Sequence, residues 1–184
     1  MIKGEFTLSQ VVDGKQTDLV IVRNTVLYDW GFIVSKLLAG DFDDKYHIRY
    51  AYIEFENNNG LAVTPPTVDR SQGKSYYDGL AGSNRDYLRV PIIGSTIDST
   101  DTNTFPNGNR LTVSAQTSGT TGVHGLPFDD VNMSRVYGLA AVCAPDPNNP
   151  SLDIVFSRAY LSTNEQLIKK ANSQIVVSWK VSFL

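Results

Sequence analysis

The sequence contains one cysteine and two histidines, and this scarcity restricts the chemistry that it can support. Cys143 has no second cysteine for an internal disulfide and lies in an apolar run, so we interpret it as core filling rather than as a nucleophile. His47, His124 and one thiol provide fewer ligands than a zinc site commonly uses. We therefore predict no metal and no cofactor, and we expect synthesis in a reducing cytoplasm.

Basic clusters and long apolar runs are also missing. The net charge is −3 and the sequence has no basic block, so nothing in it matches the phosphate backbone of a nucleic acid. No apolar run approaches the roughly 20 residues that a membrane-spanning helix needs. The first five residues lack the apolar core of a secretory signal. We predict that the protein binds neither nucleic acid nor membrane.

The residues that are abundant favour β-structure. Gly, Asn, Asp, Ser and Thr are frequent and helix formers are sparse outside two short stretches, a mixture typical of strands joined by polar loops. A length of 184 residues fits a single domain, residues 1–184, with a sizeable core. Asp13-Gly14, flanked by β-branched residues, predicts an N-terminal hairpin over about residues 4–23.

One amphipathic helix is predicted at about residues 25–39. Asn24 or Thr25 can cap its N-terminus, and Gly40 occupies the position where a left-handed residue often ends a helix. We expect its apolar stripe to lie against a sheet face. The stripe has three- and four-residue spacing and consists of Val26, Leu27, Trp30, Ile33, Val34, Leu37 and Leu38.

The rest of the chain alternates between strand patterns and polar loops. Long surface loops are predicted at about residues 57–86, 95–109 and 118–133. Pro91 removes one backbone donor and predicts an edge or strand-end position. We predict a mostly β fold, an antiparallel β-sandwich or jelly-roll-like body with one packed helix. Beyond the hairpin, the predicted strands are residues 47–55, 87–93, 110–117, 135–144, 152–158 and 174–183.

The last predicted strand has the clearest alternation. Its buried face is predicted to consist of Val177, Trp179, Val181 and Phe183, while Ser178, Lys180 and Ser182 face the other way. We expect Trp179 and Trp30 to anchor the core.

Several polar segments superficially match binding motifs. Residues 41–44, Asp-Phe-Asp-Asp, lack the glycine and the bidentate glutamate that a calcium loop requires at later positions. Residues 119–125 lack the Gly-Lys-Ser/Thr ending of a phosphate loop. Polar loops hold four further aspartates, which we interpret as turn residues: Asp98, Asp101, Asp129 and Asp130.

The loop at 57–86 and its boundary carry the candidate interaction residues. Tyr76, Tyr77, Arg85 and Tyr87 lie in a stretch with almost no core-forming residues, and Tyr and Arg are enriched at recognition surfaces. One interpretation is that they cover one end of the sandwich. The other is that the loop docks on a partner subunit, and we take these four residues as a candidate interface.

The hairpin is followed by the helix end at residues 35–40 and then by residues 50–57, 86–91, 134–139, 154–158, 168–169 and 176–183. This order of elements resembles small structural proteins of tailed bacteriophage virions, especially those of the tail, baseplate or fibre-attachment region. The resemblance implies a non-enzymatic assembly or adaptor subunit that binds other virion proteins and copies of itself as a homo-oligomer. It also implies a location in the virion after synthesis in the host bacterial cytoplasm.

Other functions stay open at this point. A capsid or neck decoration protein would share the same features. A carbohydrate- or receptor-binding β-domain would use exposed tyrosines, with Tyr76, Tyr77 and Tyr87 as candidates. A small β-fold hydrolase would need His47 or His124 in a triad assembled from distant positions. The N-terminal hairpin could also pair, through its edge, with a strand of another chain.

Overall fold

Ten strands and two α-helices make up the described part of the chain. The structure is a computed structural model, and it describes residues 2–40, 45–57, 61–80, 85–99, 103, 108–117, 134–169 and 173–183. The helices are α1 (Asp29–Leu38) and α2 (Lys74–Asp78), and Pro150–Leu152 forms one 3-10 turn. The strands are β1 (Ile2–Val12), β2 (Lys15–Arg23), β3 (Thr25–Val26), β4 (Ile48–Asn57), β5 (Arg85–Asp98), β6 (Arg110–Gln116), β7 (Ser134–Cys143), β8 (Ile154–Tyr160), β9 (Leu167–Ile168) and β10 (Gln174–Phe183).

The strands form one antiparallel sheet that curls on itself. Their order is β2-β1-β10-β6-β5-β4-β7-β8-β3, and β9 pairs with β7. The long strand β5 belongs to both halves, because residues 85–91 pair with β4 and residues 92–98 pair mainly with β6. The two halves enclose a common core between their inner faces. The predicted mostly β, sandwich-like body with one substantial helix is thereby confirmed.

The hairpin of β1 and β2 turns at the expected pair of residues. Asp13 (φ 50°) and Gly14 (φ 75°) are both left-handed, as a two-residue turn of type I′ requires. After β2 the chain crosses to the opposite end of the strand order, where β3 pairs with β8. Asn24 makes this crossing, and its backbone N–H donates to the Gly4 carbonyl at 3.2 Å. A Cβ at Gly4 would lie 1.9 Å from the Asn24 side-chain oxygen, so any other residue here would displace the Asn24 side chain.

The core centres on Trp179 of β10. Its ring packs against Phe6 and, edge-on, against Phe156 from the other half of the sheet, with centroids 6.3 and 5.4 Å apart. Val177 and Val181 are buried beside it, as the alternation predicts. Phe183 differs from the prediction: it lies at the strand end, is 40% exposed and stacks on Trp30. Trp30 is partly buried at the rim of the core, not at its centre.

Helix α1 begins later than the sequence predicts and buries less of its stripe. Thr25 and Val26 form β3 because β-branched residues suit extended backbone and β8 offers an edge there. The residue before the helix is Tyr28, without a side-chain cap, so the predicted caps are wrong. Gly40 is left-handed (φ 81°) as expected. Only Ile33 of the helix is buried, and Leu37 and Leu38 are exposed.

Two predicted loops contain regular structure. The 57–86 segment includes α2, and the 95–109 segment begins with the last residues of β5, which pair with β6 through Asp98–Arg110. Pro91 therefore lies within a strand, not at its end. Its missing donor is tolerated because it sits where the pairing of β5 passes from β4 to β6. The predicted loop 118–133 lies outside the described residues.

Replacing Trp179 by alanine tests the assigned core. Trp179 is 2% exposed, so truncation should lower the free energy of unfolding by about 3–5 kcal/mol. Lys180→Ala is the matched control on the opposite face, because its ion pair with Glu5 is exposed and long, 3.8 Å, and its loss should cost at most about 1 kcal/mol. Urea unfolding measures both. Equal effects of the two substitutions would contradict the register of β10.

Candidate functional site

The structure brings the predicted tyrosines together on the outer face of one half of the sheet. Helix α2 lies across this face and inserts Tyr77, which is 1% exposed. The Tyr77 ring packs edge-on against Tyr52 and Tyr87, with centroids 4.8 and 4.9 Å apart. Tyr76 and Tyr87 are partly buried around the same cluster. Arg85 lies nearby on β5, with its guanidinium 5.7 Å from the centroid of the Tyr137 ring.

A buried carboxylate lies beneath these tyrosines. Glu54 on β4 is 0% exposed, and the Tyr77 hydroxyl donates to its Oε1 at 2.5 Å. The Tyr76 hydroxyl donates to Oε2 at 3.1 Å. Arg158 on β8, 1% exposed, places its Nε 3.8 Å from Oε1. We call Glu54, Tyr76, Tyr77 and Arg158 the Glu54 cluster.

Arg158 connects the cluster to the segment before α2. Its guanidinium lies 3.7 Å from the centroid of the Tyr76 ring, close enough for a cation–π interaction. Its NH1 donates to the Gln72 carbonyl at 3.1 Å. Both charges of the pair are withdrawn from water, so each depends on the other and on its hydrogen bonds. The cluster therefore holds α2 against the sheet.

The electrostatics of the cluster favour a structural role. Burial raises the pKa of Glu54 to about 7, and Arg158 and the two tyrosine hydroxyls oppose that shift. Burial also raises the pKa of Tyr77 well above its usual range and that of Tyr76 to about 12. Both tyrosines therefore keep their protons at neutral pH and act as hydrogen-bond donors. The geometry describes a buried polar network under a helix, in which both Glu54 oxygens accept hydrogen bonds while Arg158 contributes its charge and one hydrogen bond, from NH1.

A second buried ion pair lies on the same side. Asp153, 3% exposed, accepts from Arg89 Nε at 2.7 Å and from Arg89 NH2 at 2.9 Å. Tyr52 donates its hydroxyl to the same carboxylate. The Arg89 guanidinium also covers the Tyr50 ring at 3.4 Å. This bidentate pair ties β5 to the residue that follows the 3-10 turn.

Sequence reasoning missed both ion pairs, although it offered one signal. Glu54 interrupts an otherwise apolar run in β4, and Arg158 follows the apolar residues 154–156 of β8. A charge inside a strand that is buried on both faces needs a partner. The partner's identity depends on which strands are neighbours, and the local pattern contains no information on that.

The other predicted site residues are scattered. Asp98 pairs with Arg110, whose Nε lies 2.6 Å away. His47 is exposed after α1. Cys143 is buried and donates its S–H to the Tyr46 carbonyl at 3.0 Å, and burial raises its pKa to about 12, so the core-filling interpretation is confirmed. Within the described ranges no three His, Cys, Asp or Glu residues lie close enough to hold a metal ion. Residues 41–44, Asp101, 119–125, His124, Asp129 and Asp130 lie outside those ranges.

Large apolar side chains are exposed at the end of the body that carries α1. An open cleft of about 420 Å³ lies there between the helix and the sheet. Leu37 (42% exposed) and Phe183 (40%) form part of its rim, and Ile97 extends the apolar area through its partner Leu111. We call this area the helix-end surface. The cleft is lined by Trp30, Ile33, Leu37, Tyr46, His47, Ile48, Ser95, Leu111, Val113, Cys143, Phe156 and Phe183.

The edge of the sheet at β2 is the second surface with exposed apolar residues. β2 pairs with β1 and ends the strand order, so no described strand pairs with its other edge, although β2 also contacts β8. Leu19 and Ile21 point away from the core and are 59% and 54% exposed. Val20 and Val22 alternate with them and pack inward.

The pH dependence of stability tests the burial of Glu54. Its folded pKa, about 7, exceeds the value of 4.5 for an exposed glutamate, so the unfolded chain loses its proton first. Raising the pH from about 4.5 to about 7 should therefore destabilise the wild type relative to Glu54→Gln by on the order of 2 kcal/mol. Urea unfolding across this range measures the difference. Glu5→Gln, an exposed carboxylate, is the control, and parallel pH profiles for wild type and Glu54→Gln would contradict the burial.

Removing one hydroxyl tests whether the cluster holds α2. Tyr77→Phe keeps the ring but withdraws a donor from buried Glu54, which should cost about 1–3 kcal/mol. Tyr28→Phe removes a hydroxyl from a tyrosine that is 65% exposed and should change stability by less than about 0.5 kcal/mol. Thermal or urea unfolding compares the two. A neutral Tyr77→Phe would show that its hydroxyl has access to water.

Comparison of the chain with protein-family models, with curated proteins and with solved structures gave no significant match. Among the described residues, no helix has both the length and the apolar character needed to cross a membrane. The functional assignment therefore depends on the geometry of the two exposed apolar surfaces and of the Glu54 cluster.

Proposed function

We propose that this chain is a non-enzymatic structural protein of a tailed-bacteriophage virion. It acts as an assembly or adaptor subunit in the tail, baseplate or fibre attachment and binds copies of itself and other virion proteins. The observation that carries the proposal is the helix-end surface, where large apolar side chains are exposed around an open cleft. The order of elements described above supports the virion as its location.

The body behind the helix-end surface is suited to an assembly role. The two halves of the sheet share one core, and two buried ion pairs fix α2 and the 3-10 turn to it. A subunit in an assembly has to present its contacts in a fixed geometry, because each misplacement accumulates over many copies. The shared core and the two ion pairs support a scaffold role.

The exposed residues of α1 indicate what the helix-end surface binds. Leu37 and Leu38, 42% and 83% exposed, continue the apolar stripe beyond the sheet that covers Ile33. Contiguous exposed apolar area on a soluble protein marks an interaction site. The cleft walls are mainly aliphatic and aromatic, so the matching group is an apolar side chain of a neighbouring subunit.

No observation favours carbohydrate binding over assembly. Stacking on a sugar requires an exposed ring face, and the structure buries Tyr77 while partly covering Tyr76 and Tyr87. Capsid or neck decoration remains within the proposed class, because a decorating subunit uses the same kind of apolar contact.

Sedimentation velocity over a concentration series tests the proposal. The wild-type chain should self-associate, and Leu37→Glu or Leu38→Glu should weaken the association by about tenfold or more, since a charge in an apolar contact costs at least about 1.4 kcal/mol. Thr96→Glu adds the same charge at an exposed position on the polar outer face of the other half-sheet and should leave association unchanged.

Circular dichroism separates loss of association from loss of folding. Leu38 is the more informative position, because at 83% exposure its substitution leaves the core intact. A wild type that stays monomeric at every concentration would overturn self-assembly, and equal association of wild type and both helix variants would remove the helix-end surface from the proposal.

A further inference from the structure

The edge of β2 with which no described strand pairs has, along Leu19–Ile21, the features of a self-pairing strand. Resting on the proposed function, we propose that two copies of this chain join antiparallel through β2. The twofold axis passes through Val20, so Leu19 of each copy lies opposite Ile21 of the other. The contact continues the sheet from one copy into the next. The partner at this edge is therefore a second copy of the chain.

The backbone of β2 directs hydrogen-bonding groups toward the free side at the required positions. Asn24 N–H donates to Gly4, so the pair Gly4–Asn24 is hydrogen-bonded. Bonded and non-bonded pairs alternate in an antiparallel ladder, so Val22 and Val20 also bond to β1. The N–H and C=O groups of Ile21 therefore point away from β1. With the axis at Val20, the two Leu19–Ile21 pairs become bonded pairs.

A bulge in β2 directs the backbone groups of Leu19 away from β1, like those of Ile21. The β1–β2 register shifts between Leu8 and Gln10, so Asp18 and Leu19 both lie opposite Ser9. Ser9 belongs to the non-bonded set of β1, which leaves the Leu19 backbone groups for the free edge. Asp18 is left-handed (φ 55°), and this bend ends the straight part of the edge. The proposed contact between the two β2 strands is therefore short and is centred on Leu19–Ile21.

The side chains are complementary in this register. Leu19 and Ile21, more than half exposed in the single chain, contact their counterparts and form one apolar patch on the outer face. Asp18 of each copy then lies beside the end of the other β2 that carries Arg23, which places opposite charges on both sides of the patch. The Asp18 carboxylate also accepts from Gln10 Nε2 at 3.3 Å and from the Thr17 hydroxyl at 3.1 Å.

Neighbouring registers lose this complementarity. An axis at Leu19 places Ile21 opposite Thr17 and Arg23 opposite Lys15, which sets two positive charges against each other. An axis at Ile21 places Leu19 opposite Arg23. Only the axis at Val20 places both Leu19 and Ile21 opposite apolar residues and also brings opposite charges together. The edge lacks a charge at its centre that would discourage such pairing.

Disulfide trapping between two singly substituted chains tests this register. Opposite residues in a bonded pair have Cα atoms about 5.5 Å apart, within the range of a disulfide. Chains with Leu19→Cys mixed with chains with Ile21→Cys should form about tenfold more covalent dimer on mild oxidation than either chain alone. Identical positions lie on a diagonal, ~7–8 Å or more apart, beyond disulfide reach. Native Cys143 is buried, so oxidised wild type is the background control.

Thr96→Cys mixed with Leu19→Cys gives the control for random collision, because Thr96 is also exposed but lies on β5. Preferential dimers of Leu19→Cys alone, or of Ile21→Cys alone, would overturn the register. If no mixture crosslinks although the wild type self-associates in sedimentation, the β2 contact is wrong and the assembly proposal stands. A wild type that stays monomeric and does not crosslink overturns both.

Discussion

The membership of β5 in both halves of the sheet is the constraint on which the rest of the fold depends. Its first residues pair with β4 and its last with β6, so the strand turns one sheet into two facing halves. Pro91 and the register shift between Ile92 and Gly94 mark the place of the change, where a continuous ladder is not required. Because the halves face each other, Trp179 of β10 meets Phe156 of β8, and a single core forms. The crossing at Asn24 then brings the two ends of the strand order close together.

The sequence pattern correctly predicted those elements whose geometry is specified by their own residues. The alternation around Trp179 and the Asp13-Gly14 turn each specify their own geometry, and β10 and the hairpin are found where expected. Elements that depend on distant partners were missed. Thr25 and Val26 follow a helical pattern in the sequence, yet they extend because β8, more than 100 residues later, offers an edge. Helix α2 has five residues between glycines, too few for a periodic signal.

The tyrosines illustrate a limit of composition as a guide to binding. Tyr is frequent at interfaces because it combines a large apolar ring with a hydroxyl. The same combination suits a tyrosine that covers a buried ion pair, with its ring in the core and its hydroxyl on the carboxylate. Tyr77 takes this second role because Glu54 and Arg158 become neighbours through the order β4-β7-β8. No pattern near residue 77 contains that order, so the sequence could identify the residue types but not their partner.

The two exposed apolar surfaces differ in what they can build. A twofold contact through β2 uses the same strand of both copies and closes after two, because neither edge remains available. The helix-end surface is formed by other elements, α1 and the ends of β5 and β10, so pairing through β2 leaves one such surface on each copy. A pair with two equivalent apolar surfaces can hold two further subunits related by the same axis. Such an arrangement would match the proposed adaptor role, in which one interface sets the copy number and the other binds the neighbours.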